Sequence, residues 1–136
     1  MLVVLDTNVL VSALLNPHGK PAAVLGLILE ERLSVCYDSR VISEYSEVLR
    51  RPKFGFAPHE VESVVDFIRL GGVSCVAHSE QVKGTDPGDQ AFAQVCIASK
   101  AEYLVTGNRE HFPRRIAQTP VVSPTQFLDR YYADHG

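Results

Sequence analysis

The stretch MLVVLDTNVL, residues 1–10, decides the fold. Four branched apolar side chains in succession, Leu2, Val3, Val4 and Leu5, lead into Asp6, Thr7 and Asn8. The run is too short to make a helix alone. An unbroken apolar run suits a strand covered on both faces, as in a parallel sheet, although periodicity by itself leaves a buried helical segment open. Read as a strand, it puts Asp6 at the carboxyl end. In open α/β sheets that rim is where ligands bind, at the point where strand order reverses. Asp6 has a second reading, as a cap on the next helix. The rest of the chain must choose between the two.

Downstream, Val9, Leu10, Ala13 and Leu14 recur at helical spacing until the turn residues Asn16-Pro17-His18-Gly19. Pro21 suits the first turn of a second helix, running to about Arg32. Residues 33–37 read as a short strand, and Asp38-Ser39 can cap a helix from about Arg40 to Arg51. On that helix Val41, Ile42, Tyr45, Val48 and Leu49 form one stripe with Glu44 beside it. Glu44 either looks into a pocket at the core's edge or pairs with an Arg at the surface. Pro58 opens another helix, which Gly71-Gly72 ends. Residues 73–77 are a candidate strand and 78–85 a polar loop.

The segment TDPGDQ, residues 85–90, precedes a helix expected over 91–100. Asp86 as N-cap, Pro87 as first helical residue and Asp89 as a first-turn acid need no function to explain them. The same placement gathers two carboxylates at one helix start, a metal-binding corner. Residues 102–105 read as a buried strand running into Thr106-Gly107-Asn108, residues 120–122 as another, and Ser123-Pro124 as the start of the last helix. Repeated strand–helix alternation predicts an α/β fold with a parallel sheet and helices on both sides. Right-handed crossovers then bring Asp6, Thr106 and Asn108 to one rim, with Glu44 and Asp89 arriving from adjacent helices.

The totals agree with this picture. The 136 residues fit a single domain over 1–136, and 46% hydrophobic composition supplies a full core. No apolar run reaches the length of a membrane span. The first residues read as a strand, with no leader pattern, so the expected location is cytoplasmic. Cys36, Cys75 and Cys96 are odd in number, widely spaced and in apolar surroundings, which suits reduced core residues. A net charge of -3 argues against a broadly basic nucleic-acid binder but allows a local basic surface beside an acidic pocket.

Acidic groups gathered at one rim repel one another and stay ionised most easily around a cation. With no Cys or His at metal spacing, oxygen ligands point to Mg²⁺ or Mn²⁺ rather than zinc. Such ions activate water and clamp the reacting oxygens of a phosphate ester, so the residues point to metal-dependent phosphodiester or phosphomonoester chemistry.

Four stretches in this order carry a resemblance: LDTNVL at 5–10, Glu44, DPGDQAFA at 86–93 and YLVTGN at 103–108. Together they resemble the PIN domain family, most closely its VapC-like toxins of type II toxin–antitoxin systems. The resemblance covers nearly the whole chain. It implies a three-layer α/β/α sandwich, Mg²⁺- or Mn²⁺-dependent endoribonuclease activity, homo-oligomers (a dimer or higher) and inhibition by a cognate antitoxin protein. Asp6, Glu44 and Asp89 match the family's three most regular acids, with Asp86 an additional acid nearby. Asn108 stands where many members carry a fourth Asp, so a carbonyl oxygen remains but a charge is lost. Thr7, Asn8 and Thr106 are placed to hold carboxylates or water. Arg50, Arg51, Lys53, Arg109, Arg114 and Arg115 are candidate contacts to the RNA backbone. Water as the attacking group implies 5′-phosphate and 3′-hydroxyl products. The five histidines are scattered and none falls in the four stretches.

Two rivals remain. An α/β phosphotransfer enzyme using Asp6 as nucleophile lacks a second acid two positions on, where Asn8 stands, and a receiver-like switch lacks a late Lys, since none follows Lys100. A catalytically weak PIN-fold interaction module is kept open by Asn108.

Overall fold

The computed structural model describes residues 1–135. Its elements run β1 (Leu2–Leu5), α1 (Thr7–Leu15), α2 (Lys20–Leu29), β2 (Ser34–Tyr37), α3 (Ser39–Leu49), α4 (Pro58–Gly71), β3 (Val73–Ser74), α5 (Gln90–Ser99), β4 (Tyr103–Val105), β5 (Arg115–Ile116), β6 (Thr119–Val122) and α6 (Pro124–His135). Short 3-10 turns occupy Pro52–Phe54, Pro87–Asp89 and Arg109–His111. The strands form a six-stranded sheet in the order β3-β2-β1-β4-β6-β5. All neighbours are parallel except the β5–β6 pair, which is antiparallel.

The opening apolar run behaves as its composition requires. Val3, Val4 and Leu5 are each 0% exposed, so both faces of β1 are covered and no alternation is needed. Helix α5 packs on β1, β2 and β4, α6 on β4 and β6, and α4 on β2, while α1 and α2 lie against each other. The core is continuous across these contacts, with Tyr45, Phe92 and Phe127 its largest fully buried side chains. No helix among the described residues is long and apolar enough to cross a membrane.

Strand order reverses beside β1. From β1 the chain first adds β2 and β3 on one side and then β4 and β6 on the other. The register sets Leu5 opposite Val105, so the next residue of each strand, Asp6 and Thr106, emerges at the same point of the carboxyl rim.

Two expectations need correction. The strand expected over 73–77 ends at Ser74, because its partner β2 ends at Tyr37 and Cys75 N–H to Tyr37 O, at 2.9 Å, is the last rung. Pro87 does not open the helix after it. Pro87–Asp89 is a separate 3-10 turn, and α5 begins at Gln90. The central sheet is parallel as expected, and β5, which carries no strand pattern in the sequence, adds an antiparallel edge by folding back on β6.

Candidate active site

The rim is built from both sides of the strand reversal. Asp6 N–H donates to Val105 O at 2.9 Å, and Thr106 Oγ1 donates to Asp6 Oδ2 at 2.7 Å. Asn8 Oδ1 accepts from Gly107 N–H at 3.1 Å, and Thr106 Oγ1 accepts from Asn108 N–H at 3.0 Å. Helix α3 is fastened to the same rim. The Tyr45 hydroxyl donates to Leu5 O, and the Thr7 hydroxyl donates to Glu44 Oε2. Glu44 therefore faces the rim rather than pairing with an Arg at the surface.

Capping separates Asp38 from the other acids at helix starts. Asp38 is a working cap, accepting from Arg40 N–H at 3.0 Å and Val41 N–H at 3.1 Å. Asp6, Asp86 and Asp89 all stand at N-cap positions, yet none makes a side-chain cap bond. Their carboxylates are turned to other partners. Asp6, 5% exposed, is taken up by Thr106, while Asp86 and Asp89 face His111.

The electrostatics follow from burial and mutual repulsion. Desolvation raises the Asp6 carboxyl, the Thr106 hydroxyl draws it back, and the charges of Asp89 and Glu44 raise it again, leaving it pushed up to about 6. Glu44 is raised by burial first, against the hydrogen bond from Thr7, with Asp89 adding to the rise. Asp89 is raised by burial, and His111 beside it opposes that rise. Asp89 thus raises both Asp6 and Glu44 through its charge.

Two features escaped the sequence. His111 belongs to no linear pattern, but its Nδ1 lies 3.3 Å from Asp89 Oδ2 and 3.7 Å from Asp86 Oδ2. Oxygen is therefore not the sole donor type at the rim. The loop before Asp86 is held by amides: Gln90 Oε1 accepts from Val82 N–H at 2.8 Å, Gln90 Nε2 donates to Val82 O and Thr85 O, each at 3.0 Å, and Gln94 Nε2 donates to Glu80 O at 2.9 Å.

The basic residues fall into two groups. Arg50, Arg51 and Lys53 follow the end of α3, where Arg51 pairs with Glu47 at 3.1 Å and Lys53 lies over the Phe54 ring. Arg109, Arg114 and Arg115 line a groove of about 800 Å³ with Arg130, Phe112 and Gly107. That groove starts at the rim through Gly107 but contains none of Asp6, Glu44 and Asp89.

The sequence pattern of the PIN domain matches residues 2–110. An uncharacterized protein of Methanocaldococcus jannaschii is 30% identical over 111 residues, covering 79% of this chain and 71% of its own length. No solved structure gives a significant match.

Proposed function

The chain belongs to the PIN domain family, a nuclease-type fold, and from that premise we propose that it is a metal-dependent endoribonuclease serving as the VapC-like toxin of a toxin–antitoxin pair. The carrying observation is the set of acids standing at helix starts without capping them, with Asp6 buried at the strand reversal. Acids raised first by burial and then by one another's charge suit a divalent cation, and Asp86, Asp89 and His111 offer donor atoms within 4.8 Å of one another. Asp6, Glu44 and Asp89 would hold Mg²⁺ or Mn²⁺, with Asp86 alongside. Such an ion supplies Lewis acidity and charge neutralisation at a phosphodiester.

The chain's own groups do the positioning. Thr106 fixes one oxygen of Asp6 and Thr7 fixes Glu44, so each carboxylate is oriented before substrate arrives. The Arg-lined groove offers fixed positive charge to the phosphates flanking the reacting one. A pocket at a sheet rim admits only an accessible phosphodiester, which favours single-stranded or loop RNA. Homo-oligomers and a protein antitoxin belong to the same reading.

The test is cleavage of an unstructured RNA with Mn²⁺, with Mg²⁺ and with EDTA. Cleavage should need the metal, leave 5′-phosphate and 3′-hydroxyl ends, and fall at least about a hundredfold in Asp6→Asn. Cyclic phosphate ends, or full activity in EDTA and in Asp6→Asn, would remove the proposal.

A further inference from the structure

Asn108 leaves the rim one charge short of the pattern implied by the resemblance, and the 3-10 turn that follows it returns an imidazole to the acids. One donor atom each from Asp86, Asp89 and His111 lies within 4.8 Å of the others. Metal–ligand bonds of about 2.0–2.2 Å place neighbouring donors roughly 3.0–3.6 Å apart and opposite ones a little over 4 Å apart. The His111 Nδ1 separation of 3.3 Å from Asp89 matches neighbouring donors on one ion, and the 3.7 Å from Asp86 lies between the neighbouring and opposite spacings. The backbone holds the three in register. Asp86 N–H donates to His111 O at 2.9 Å, Asp89 N–H to Asp86 O at 2.9 Å, and His111 N–H to Asn108 O at 3.0 Å. Asp86 is half exposed, which leaves an entry path and free positions for water or a phosphate oxygen.

We propose that His111 Nδ1 joins Asp86 and Asp89 as the third donor of a divalent-ion site, and that this nitrogen makes the chain select Mn²⁺ and later first-row ions over Mg²⁺. The inference rests on the metal-dependent reading above and names the class of ion. Mg²⁺ keeps its water and takes oxygen ligands, whereas imidazole suits the transition ions, whose affinities rise across the row. Nδ1 coordination fixes the ring as the tautomer with its proton on Nε2. A neutral nitrogen donor then takes up the coordination that the missing fourth carboxylate would have supplied.

The experiment is Mn²⁺ titration of the full chain followed by electron paramagnetic resonance, with Mg²⁺ as competitor and pulsed detection of ¹⁴N coupling to the bound ion. Wild type should show ¹⁴N coupling. His111→Gln should lose it, and its Mn²⁺ Kd should rise at least about tenfold, as even changes outside the direct ligands do. His59→Gln should keep the coupling. His111→Asp should bind without ¹⁴N coupling and narrow the preference for Mn²⁺ over Mg²⁺. Mn²⁺ bound to wild type with no ¹⁴N coupling would overturn this inference and leave the metal-dependent nuclease standing. The wild-type spectrum decides that point even if the variants fold poorly. No Mn²⁺ binding at all, with cleavage indifferent to EDTA, would overturn both.

Discussion

Asp6 ties the stability of the fold to pH. Its carboxyl is pushed up to about 6 in the folded chain from an unperturbed 3.8. Between those values the folded state binds more protons than the unfolded one, so the slope of stability with pH is negative. The contribution is fully present below about pH 4 and is lost as pH rises through about 6. A shift of this size corresponds to on the order of 2–3 kcal/mol. Urea unfolding of metal-free protein at pH 4.5 and 7 should show wild type losing that much more stability than Asp6→Asn, which keeps an acceptor for Thr106. Equal losses would contradict the burial argument. Asp6 was legible in the sequence because a lone acid after an apolar strand has few readings. Tyr45, His111 and Gln90 were not, because their partners Leu5, Asp86 and Val82 are chosen by packing rather than by spacing.

Among the elements, the passage from α4 to β3 leaves no room for a side chain at Gly72. A Cβ on Gly72 would lie 2.4 Å from Val35 O and 2.5 Å from Ile68 O, both backbone atoms that cannot step aside. Gly72→Ala should therefore cost about 1–3 kcal/mol, read as a lower denaturant midpoint, while Gly71→Ala next to it meets no atom within 4 Å and serves as control. Equal midpoints for the two variants would show that the α4–β3 passage can relax. This glycine was legible only as a helix stop. The helices and inner strands were readable apart from their ends, since their apolar patterns are long or unbroken. The edges were not: β3 is limited by where β2 stops, and the two residues of β5 gain their structure from β6 alone.

For the molecule as a whole, an ion that binds only the folded state adds stability by mass action, about 2.7 kcal/mol at a hundredfold excess over Kd. Mn²⁺ should raise the melting temperature of wild type. In EDTA at pH 7.5, Asp6→Asn should melt above wild type and show a smaller rise with Mn²⁺. An Mn²⁺ shift of unchanged size in that variant would place the ion elsewhere. The strand–helix alternation made the sheet legible, and the strand reversal beside β1 explains why acids from three stretches share a rim with Thr106 and Asn108 of the fourth. The Arg-lined groove was legible only as scattered charges, because β5, β6 and α6 must fold together to make it. The bond from Thr106 to Asp6 joins positions 100 residues apart. At ribosomal rates of roughly 5–20 residues per second, Asp6 is made about 5–20 s before Thr106 exists. The half of the rim contributed by β1 therefore waits, without its partner, for β4 to be translated and to slot in beside it. A ribosome making this protein carries no complete rim until β4 has been translated, so the order of synthesis sets when the two halves can meet.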